Sequence, residues 1–503
     1  MSVSTVFTRA QLGVSAPLVT VETHISNGLP SLSIVGMPEA SVRESRERVR
    51  SALLNAGFEF PARRVTINLA PADLPKQGGR YDLAIAVGIL SATAQLDGLS
   101  LTQYEFIGEL ALTGALRAVT GVLPSAAACR ENARKLCLAS GNTEEASLVD
   151  DLPIISADNI LQVCERLRSG CLDERKSRKP VDDVLIDAPD MADIKGQRLA
   201  RRALEIAAAG GLNLLLYGPP GTGKSMLASR LTGILPPLTG DEALEVASVY
   251  SVAGQLDHAR YYERPYRSPH HSASPVALIG GGSTPLPGEV SKAHHGVLFL
   301  DELPEFDRRA LEMLREPIES GHVNISRASR TLSYPAVFQL MAAMNPCPCG
   351  YLGHPKIACK DTPQQIYQYR RKLSGPLLDR FDMHVEVGYQ AGSVVLNASA
   401  AEEGSEVVKA RVMAARARQS ARQGCINSLL SVKQLGEYCA LDARLQGWLE
   451  NTMEQLSLSA RGVHRVLRLA RTIADLAGDQ DIEMTHLGEA MAYRALDKVG
   501  VNV

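Results

Sequence analysis

Residues 212–235 read LNLLLYGPPGTGKSMLASRLTGIL, an order that predicts a buried strand, a glycine-rich turn and a helix in succession. The run LNLLLY has the length and continuous apolarity of a strand covered on both faces of a parallel sheet. In the turn, Gly218, Gly221 and Gly223 let backbone amides face inward around phosphate oxygens, with Pro219, Pro220 and Thr222 between them. The helix that follows offers its positive end to the same phosphates. Lys224 is placed to reach the β and γ phosphates and Ser225 to ligate Mg2+. The alternative is a glycine-rich turn with no ligand.

Outward from this stretch, three further apolar runs, GVLFLDE, FQLMAAMN and FDMHVEV, alternate with helix-length segments, which predicts a parallel α/β core. VLFLDE puts Asp301 and Glu302 at the carboxyl end of its strand, where ligands bind in open α/β sheets. Phosphoryl transfer needs charge neutralisation and an aligned nucleophile, so Asp301 is expected in the Mg2+ shell and Glu302 beside the attacking water. Asn345 ends FQLMAAMN, to orient the same water or simply to form a strand-end turn. Arg380, in GPLLDRFD, is the kind of group that stabilises a γ-phosphate transition state from a neighbouring subunit; pairing with Asp379 or Asp382 is the alternative. Arg461, in SARGVHRVL, opens a helix that carries Arg465 and Arg468 at i+4 and i+7. That spacing predicts a basic face, with Val463, Val466, Leu467 and Ala470 turned inward.

A chain of 503 residues has material for about three domains. With 45% hydrophobic and 21% charged residues it is globular, and a net charge of −2 gives no overall pull toward a polyanion. No run approaches the ~18 apolar residues of a membrane span, and MSVSTVFTRAQLGV lacks the features of a signal peptide, so a cytoplasmic protein with no membrane partner is expected. Composition shifts at 171–190, CLDERKSRKPVDDVLIDAPD, which reads as a linker. Before it, the β-rich runs LVTVETHI, LSIVG, RRVTINLA, YEFIGELALTG and KLCLAS alternate with helical patterns, an α/β or α+β domain over 1–170. The parallel core occupies 191–403, and amphipathic helices fill 404–503. Within the core, the glycine-rich segment 265–296 reads as a long irregular active loop.

Of nine cysteines, only Cys347, Cys349 and Cys359 cluster, in CPCGYLGHPKIAC, and scattered cysteines argue against a disulfide framework. Three thiols this close favour a structural Zn2+ with His354 or Asp361 as fourth ligand, against three unligated cysteines in a loop.

GPPGTGKS, LFLDE, Asn345, LLDRFD and SARG, in this order, resemble the Walker A, Walker B, sensor 1, arginine finger and sensor 2 of an AAA+ ATPase, with residues 404–503 as its helical lid. More narrowly, DIKGQRLARRALEIAAAGG, RPYRSPHHSAS, GGGSTPLPGEVSKAHHGVLFLDELPEF and SGPLLDRFD resemble the magnesium-chelatase-like ATPases of the ComM (YifB) family, over essentially the whole chain. The resemblance implies ATP and Mg2+ as cofactors and a homo-hexameric DNA helicase. Such a motor promotes branch migration during integration of transforming DNA and acts on single-stranded and branched DNA. Residues 1–170 resemble the Lon protease fold in NLAPADLPKQGGRYDLAIAVGIL and GELALTGALRAVTGVLP. Arg80 stands where the catalytic serine would be and no lysine stands in the second segment, so no activated nucleophile is expected and the domain reads as non-proteolytic.

The resemblance also places the strand–turn–strand HVNISRASRTLSYPAVFQL in a ring pore. Arg327 and Arg330 would there line the channel with about twelve guanidiniums per hexamer, a salt-dependent grip on phosphates. Arg264, Arg267, His270 and His271 form a second candidate contact, and the acid-free run from Lys409 through Arg411, Arg416 and Arg418 to Arg422 a third, with a solvated helix face as its alternative. A DNA motor competes with a chelatase-type subunit that remodels a partner protein. The latter would have no need of residues 1–170, which favours the motor.

Overall fold

The computed structural model describes residues 2–174, 189–282, 285–327, 330–390, 402–456 and 459–494; most of the expected linker and the turn residues Ala328 and Ser329 fall outside them. The first domain is built on a mixed sheet of β1 (Ser2–Arg9), β2 (Leu18–Ser26), β3 (Ser31–Val35), β4 (Arg64–Ala70), β5 (Tyr104–Ile107), β6 (Lys135–Ala139) and β7 (Ile154–Ala157). Its order is β3-β4-β2-β1-β5-β6-β7. β1, β2 and β4 are antiparallel neighbours, while β5, β6 and β7 continue in parallel from β1 through helical crossovers. α1 (Ser45–Asn55) and the apolar α2 (Asp82–Ala92) cover the sheet. β1 and β7 were not among the expected strands. The inward positions of β1 include Ser4 and Thr8 as well as Val6, so the period-2 signal is masked by buried polar residues.

The second domain is a five-stranded parallel sheet of β8 (Leu214–Tyr217), β9 (Tyr266–Arg267), β10 (Val297–Leu300), β13 (Gln339–Met344) and β14 (Met383–Glu386), ordered β9-β10-β13-β8-β14. Between β10 and β13 in the chain, β11 (His322–Arg327) and β12 (Arg330–Pro335) form the expected antiparallel hairpin, closing at the pair Arg327 and Arg330. The strand order decides where the chemistry sits. β13 lies between β8 and β10, so Asn345 at its end falls between the phosphate loop and Asp301.

α4 (Arg198–Gly210) covers one face of this sheet, and α6 (Gly240–Val252) binds α3 (Leu123–Glu131) of the first domain through Leu123, Ala126, Ala243, Val246 and Ala247. Segment 265–296 is more regular than expected: besides β9 it contains the helices Pro275–Ile279 and Glu289–Lys292.

The third region is helical, as expected, with α7 (Ser405–Gln423) and α8 (Ala460–Ala477) as its longest members. Both pack on α4 and share one apolar cluster with β8 and β14, including Leu204, Leu216, Val385, Val412 and Leu469. Its basic residues correct two expectations. Arg411 pairs with Glu205 and Glu403, Arg416 donates to the Ala208 carbonyl, and Arg418 and Arg422 bind the carbonyl and carboxylate of Asp475. The run 409–422 is therefore neither a solvated face nor a free phosphate surface; its arginines fasten α7 to α4 and α8. On α8, Arg465 is buried against Asp379 and Asp382, and Arg468 donates to the Leu430 carbonyl. The expected basic face thus turns inward, while Val463 and Leu467 are only half-buried.

Candidate functional site

The phosphate loop follows β8 directly and its helix, α5 (Lys224–Ser229), begins at Lys224. Gly218 has φ +159°, and a Cβ there would lie 2.2 Å from the Val387 carbonyl oxygen, so only glycine lets the chain leave the sheet at this point. Thr222 Oγ1 donates to the Pro219 carbonyl at 2.9 Å and braces the loop. Lys224 is buried, its Nζ donating to Gly218 O at 2.7 Å, Pro219 O at 2.8 Å and Asn345 Oδ1 at 3.2 Å. Burial pulls its pKa down from the usual lysine value, opposed by the charges of Asp301 and Glu302.

Ser225 Oγ donates to Asp301 Oδ2 at 2.5 Å, and the Glu302 amide donates to Asp301 Oδ1 at 2.9 Å. A hydroxyl and a carboxylate converging in this way are the oxygen donors Mg2+ takes beside a nucleotide, so this pair fits the ion. Pro220 to Met226, Asp301, Glu302, Met344 and Asn345 line one cavity of about 450 Å3. The expected residues Gly221, Thr222, Gly223, Lys224, Ser225, Asp301, Glu302 and Asn345 thus meet in a single pocket.

Glu302 has φ +52°, a left-handed conformation uncommon for a non-glycine residue. Its carboxylate lies 3.1 Å from His271 Nδ1. His271 belongs to the segment read as a phosphate or pore contact; its placement against Glu302 was not foreseen, because it depends on β9 and β10 lying side by side. Arg264 of the same segment is half-buried, donating to the Pro236 and His295 carbonyls and to Glu242. Arg267 donates to Glu289 at 2.6 Å.

Arg380 and Arg461 are not in this pocket. The Arg380 guanidinium is buried and pairs with Glu319, rather than with the Asp379 or Asp382 of the alternative reading. Arg461 is exposed on the first turn of α8. The backbones of Arg327 and Arg330 close the hairpin, and their side chains lie outside the described residues. Arg80 is buried in the first domain, donating to the Thr120 and Gly121 carbonyls. Lys76 Nζ donates to Gly36 O at 2.9 Å.

The thiols of Cys347, Cys349 and Cys359 do converge, and Asp361 joins them. His354 does not: its Nδ1 accepts the Lys356 and Ile357 amides, and its ring sits edge-on to Tyr351 and Tyr389.

This strand order and pocket define a P-loop ATPase of the AAA+ class with a magnesium-chelatase-like core. The family model described as magnesium chelatase, subunit ChlI matches residues 190–394, its C-terminal counterpart matches 402–494, and a model described as subunit ChlI of Mg-chelatase matches 21–142. The chain is 50% identical over 505 residues to protein YifB of Escherichia coli, covering 100% of this chain and 99% of that protein. It is also 50% identical over 502 residues to competence protein ComM of Haemophilus influenzae, covering 99% and 98%. Magnesium-chelatase subunit ChlI of rice is 30% identical over 112 residues, 22% of each chain. The chain belongs to the ComM/YifB family.

Among the described residues no helix is long and apolar enough to cross a membrane.

Proposed function

We propose that this ATPase is a homo-hexameric motor that moves single-stranded and branched DNA, as in branch migration during recombination and the integration of transforming DNA. The observation that carries the reading is the pocket that joins the phosphate loop to Asp301, Glu302 and Asn345, on a chain 50% identical over 502 residues to a competence protein. ATP binds through the amides of Gly218 to Gly223 and through Lys224, with Ser225 and Asp301 holding Mg2+, which neutralises phosphate charge when bound. Glu302 accepts the proton of the attacking water and Asn345 orients that water. Arg380 acts on the nucleotide of the neighbouring subunit after leaving Glu319, and Arg461 reaches the nucleotide from the lid.

His271 restrains the Glu302 carboxylate away from the water until the segment beside β9 shifts. Arg327 and Arg330 grip phosphates in the pore, with Arg267 as a further contact. Residues 1–170 serve as a Lon-like, non-proteolytic domain for assembly or for guiding DNA, 171–190 as the linker, 191–403 as the motor core and 404–503 as the lid.

A chelatase-type motor that remodels a protein is the second reading. A family model named for a chelatase subunit extends over 21–142, so the first domain does not separate the two on its own. The experiment is conversion of a labelled four-way junction into duplexes by the full chain with ATP. Conversion by the wild type, lost in Glu302→Gln while nucleotide binding persists, is expected. Failure of an active ATPase to move any branched DNA overturns the proposal.

A further inference from the structure

Residues 345–362, which follow β13, form neither helix nor strand, and a segment of this length in a compact domain calls for some constraint. Its buried apolar side chains are few. What it does contain is a triangle of sulfurs: Cys347 to Cys349 Sγ–Sγ is 3.4 Å, Cys347 to Cys359 is 3.6 Å and Cys349 to Cys359 is 3.5 Å. A disulfide would place two of them ~2.05 Å apart. Around one tetrahedral Zn2+, with Zn–S of ~2.3 Å, neighbouring sulfurs stand roughly 3.8 Å apart. The observed triangle is one edge set of that tetrahedron, slightly contracted, and is sized for one ion.

The fourth corner is held by Asp361. Its Oδ2 lies 3.8 Å from Cys359 Sγ, and the four ligand atoms are all within 4.8 Å of one another. The Cys349 amide donates to the same carboxylate at 2.8 Å and fixes its orientation, the role outer hydrogen bonds play at metal sites.

The cluster also touches the catalytic pocket. Cys347 is two residues past Asn345. Gly350, at φ +81°, presses its backbone on the phosphate loop, where a Cβ would lie 2.7 Å from Pro220 Cδ and 3.8 Å from Asn345 Cγ. The Arg370 guanidinium holds the far side through the Pro346 carbonyl at 3.3 Å.

We propose that Cys347, Cys349, Cys359 and Asp361 form a structural Zn2+ site that clips the 345–362 loop against the phosphate loop and so sets the position of Asn345. Zn2+ suits three thiolates and a carboxylate in closed tetrahedral geometry, with no open position for a substrate.

The test is metal analysis of the untagged full chain purified without added metal, beside colorimetric Zn2+ release by a mercurial reagent. About one Zn2+ per chain, released on thiol modification, is expected; below ~0.3 per chain overturns the site. Non-reducing peptide mapping that finds a disulfide among Cys347, Cys349 and Cys359, with no zinc, overturns it as well. His354→Ala should keep the metal, whereas Asp361→Ala should lose it or release it to a chelator at least about tenfold faster. Asp361→Cys should restore retention. Metal loss in His354→Ala with full retention in Asp361→Ala overturns the ligand set.

The positioning role is read separately, as a several-fold loss of fluorescent ATP-analogue affinity in Asp361→Ala that Asp361→Cys rescues. Zinc retention is independent of DNA, so it stands or falls apart from the motor reading.

Discussion

Glu302 is the residue assigned to hydrolysis in the proposed mechanism, and its position was legible because a strand end and two carboxylates are adjacent in the chain. Its restraint was not. His271 lies thirty-one positions away and reaches Glu302 only because β9 pairs with β10. A carboxylate held at 3.1 Å by an imidazole is less free to accept a proton from water. His271→Ala is therefore expected to raise ATP turnover in the absence of DNA by about two- to tenfold, with nucleotide affinity unchanged. Steady-state ATPase beside equilibrium binding of a fluorescent nucleotide checks it, and an unchanged or lower basal rate argues against restraint. The proposed metal cluster shows the same limit of local reading. Three sulfurs close in sequence pointed to the convergence of thiols that the structure shows, but the choice between His354 and Asp361 depended on which side chain the loop turns toward the thiols, and His354 is occupied by backbone amides.

At the scale of elements, the apolar runs of the core read correctly as strands because a doubly covered parallel sheet leaves little room for polar residues. The first strand of the chain escaped because Ser4 and Thr8 occupy inward positions. The basic helices misled for a different reason. A run of arginines without acids looks like a phosphate surface, yet Glu205, Glu403 and Asp475 meet it from other elements, together with the Ala208 carbonyl near the end of α4. Charge on one element says little until the elements facing it are known.

That removal of 409–422 leaves the β11–β12 hairpin as the principal candidate for gripping DNA. Replacing Arg327 and Arg330 by alanine removes up to about twelve phosphate contacts per hexamer, so log affinity should depend less steeply on log salt. Basal ATPase should persist, because Lys224 sits in a separate cradle. Binding isotherms at several salt concentrations decide the matter; an unchanged slope in correctly assembled rings moves the grip elsewhere.

For the whole molecule, composition suggested three parts but not how they pack on one another. α3 of the first domain shares a buried cluster with α6 of the core, and the helical region completes the core's own apolar cluster. Arg380 gains its proposed role only in a ring. Subunits carrying Arg380→Ala mixed with subunits carrying Lys224→Ala should recover part of the ATPase that each lacks alone, since some interfaces then combine an intact phosphate loop with an intact guanidinium. No recovery in verified mixed rings places Arg380 in a structural role with Glu319.

The motor account rests most heavily on DNA and ATP hydrolysis being coupled. The direct measurement is the ATP hydrolysis rate of the wild-type chain without DNA, with linear duplex, and with forked or four-way DNA at one ionic strength. The account predicts a several-fold rise with branched or single-stranded DNA. A robust ATPase whose rate no DNA changes at saturating concentration would contradict it and favour a protein-remodelling motor.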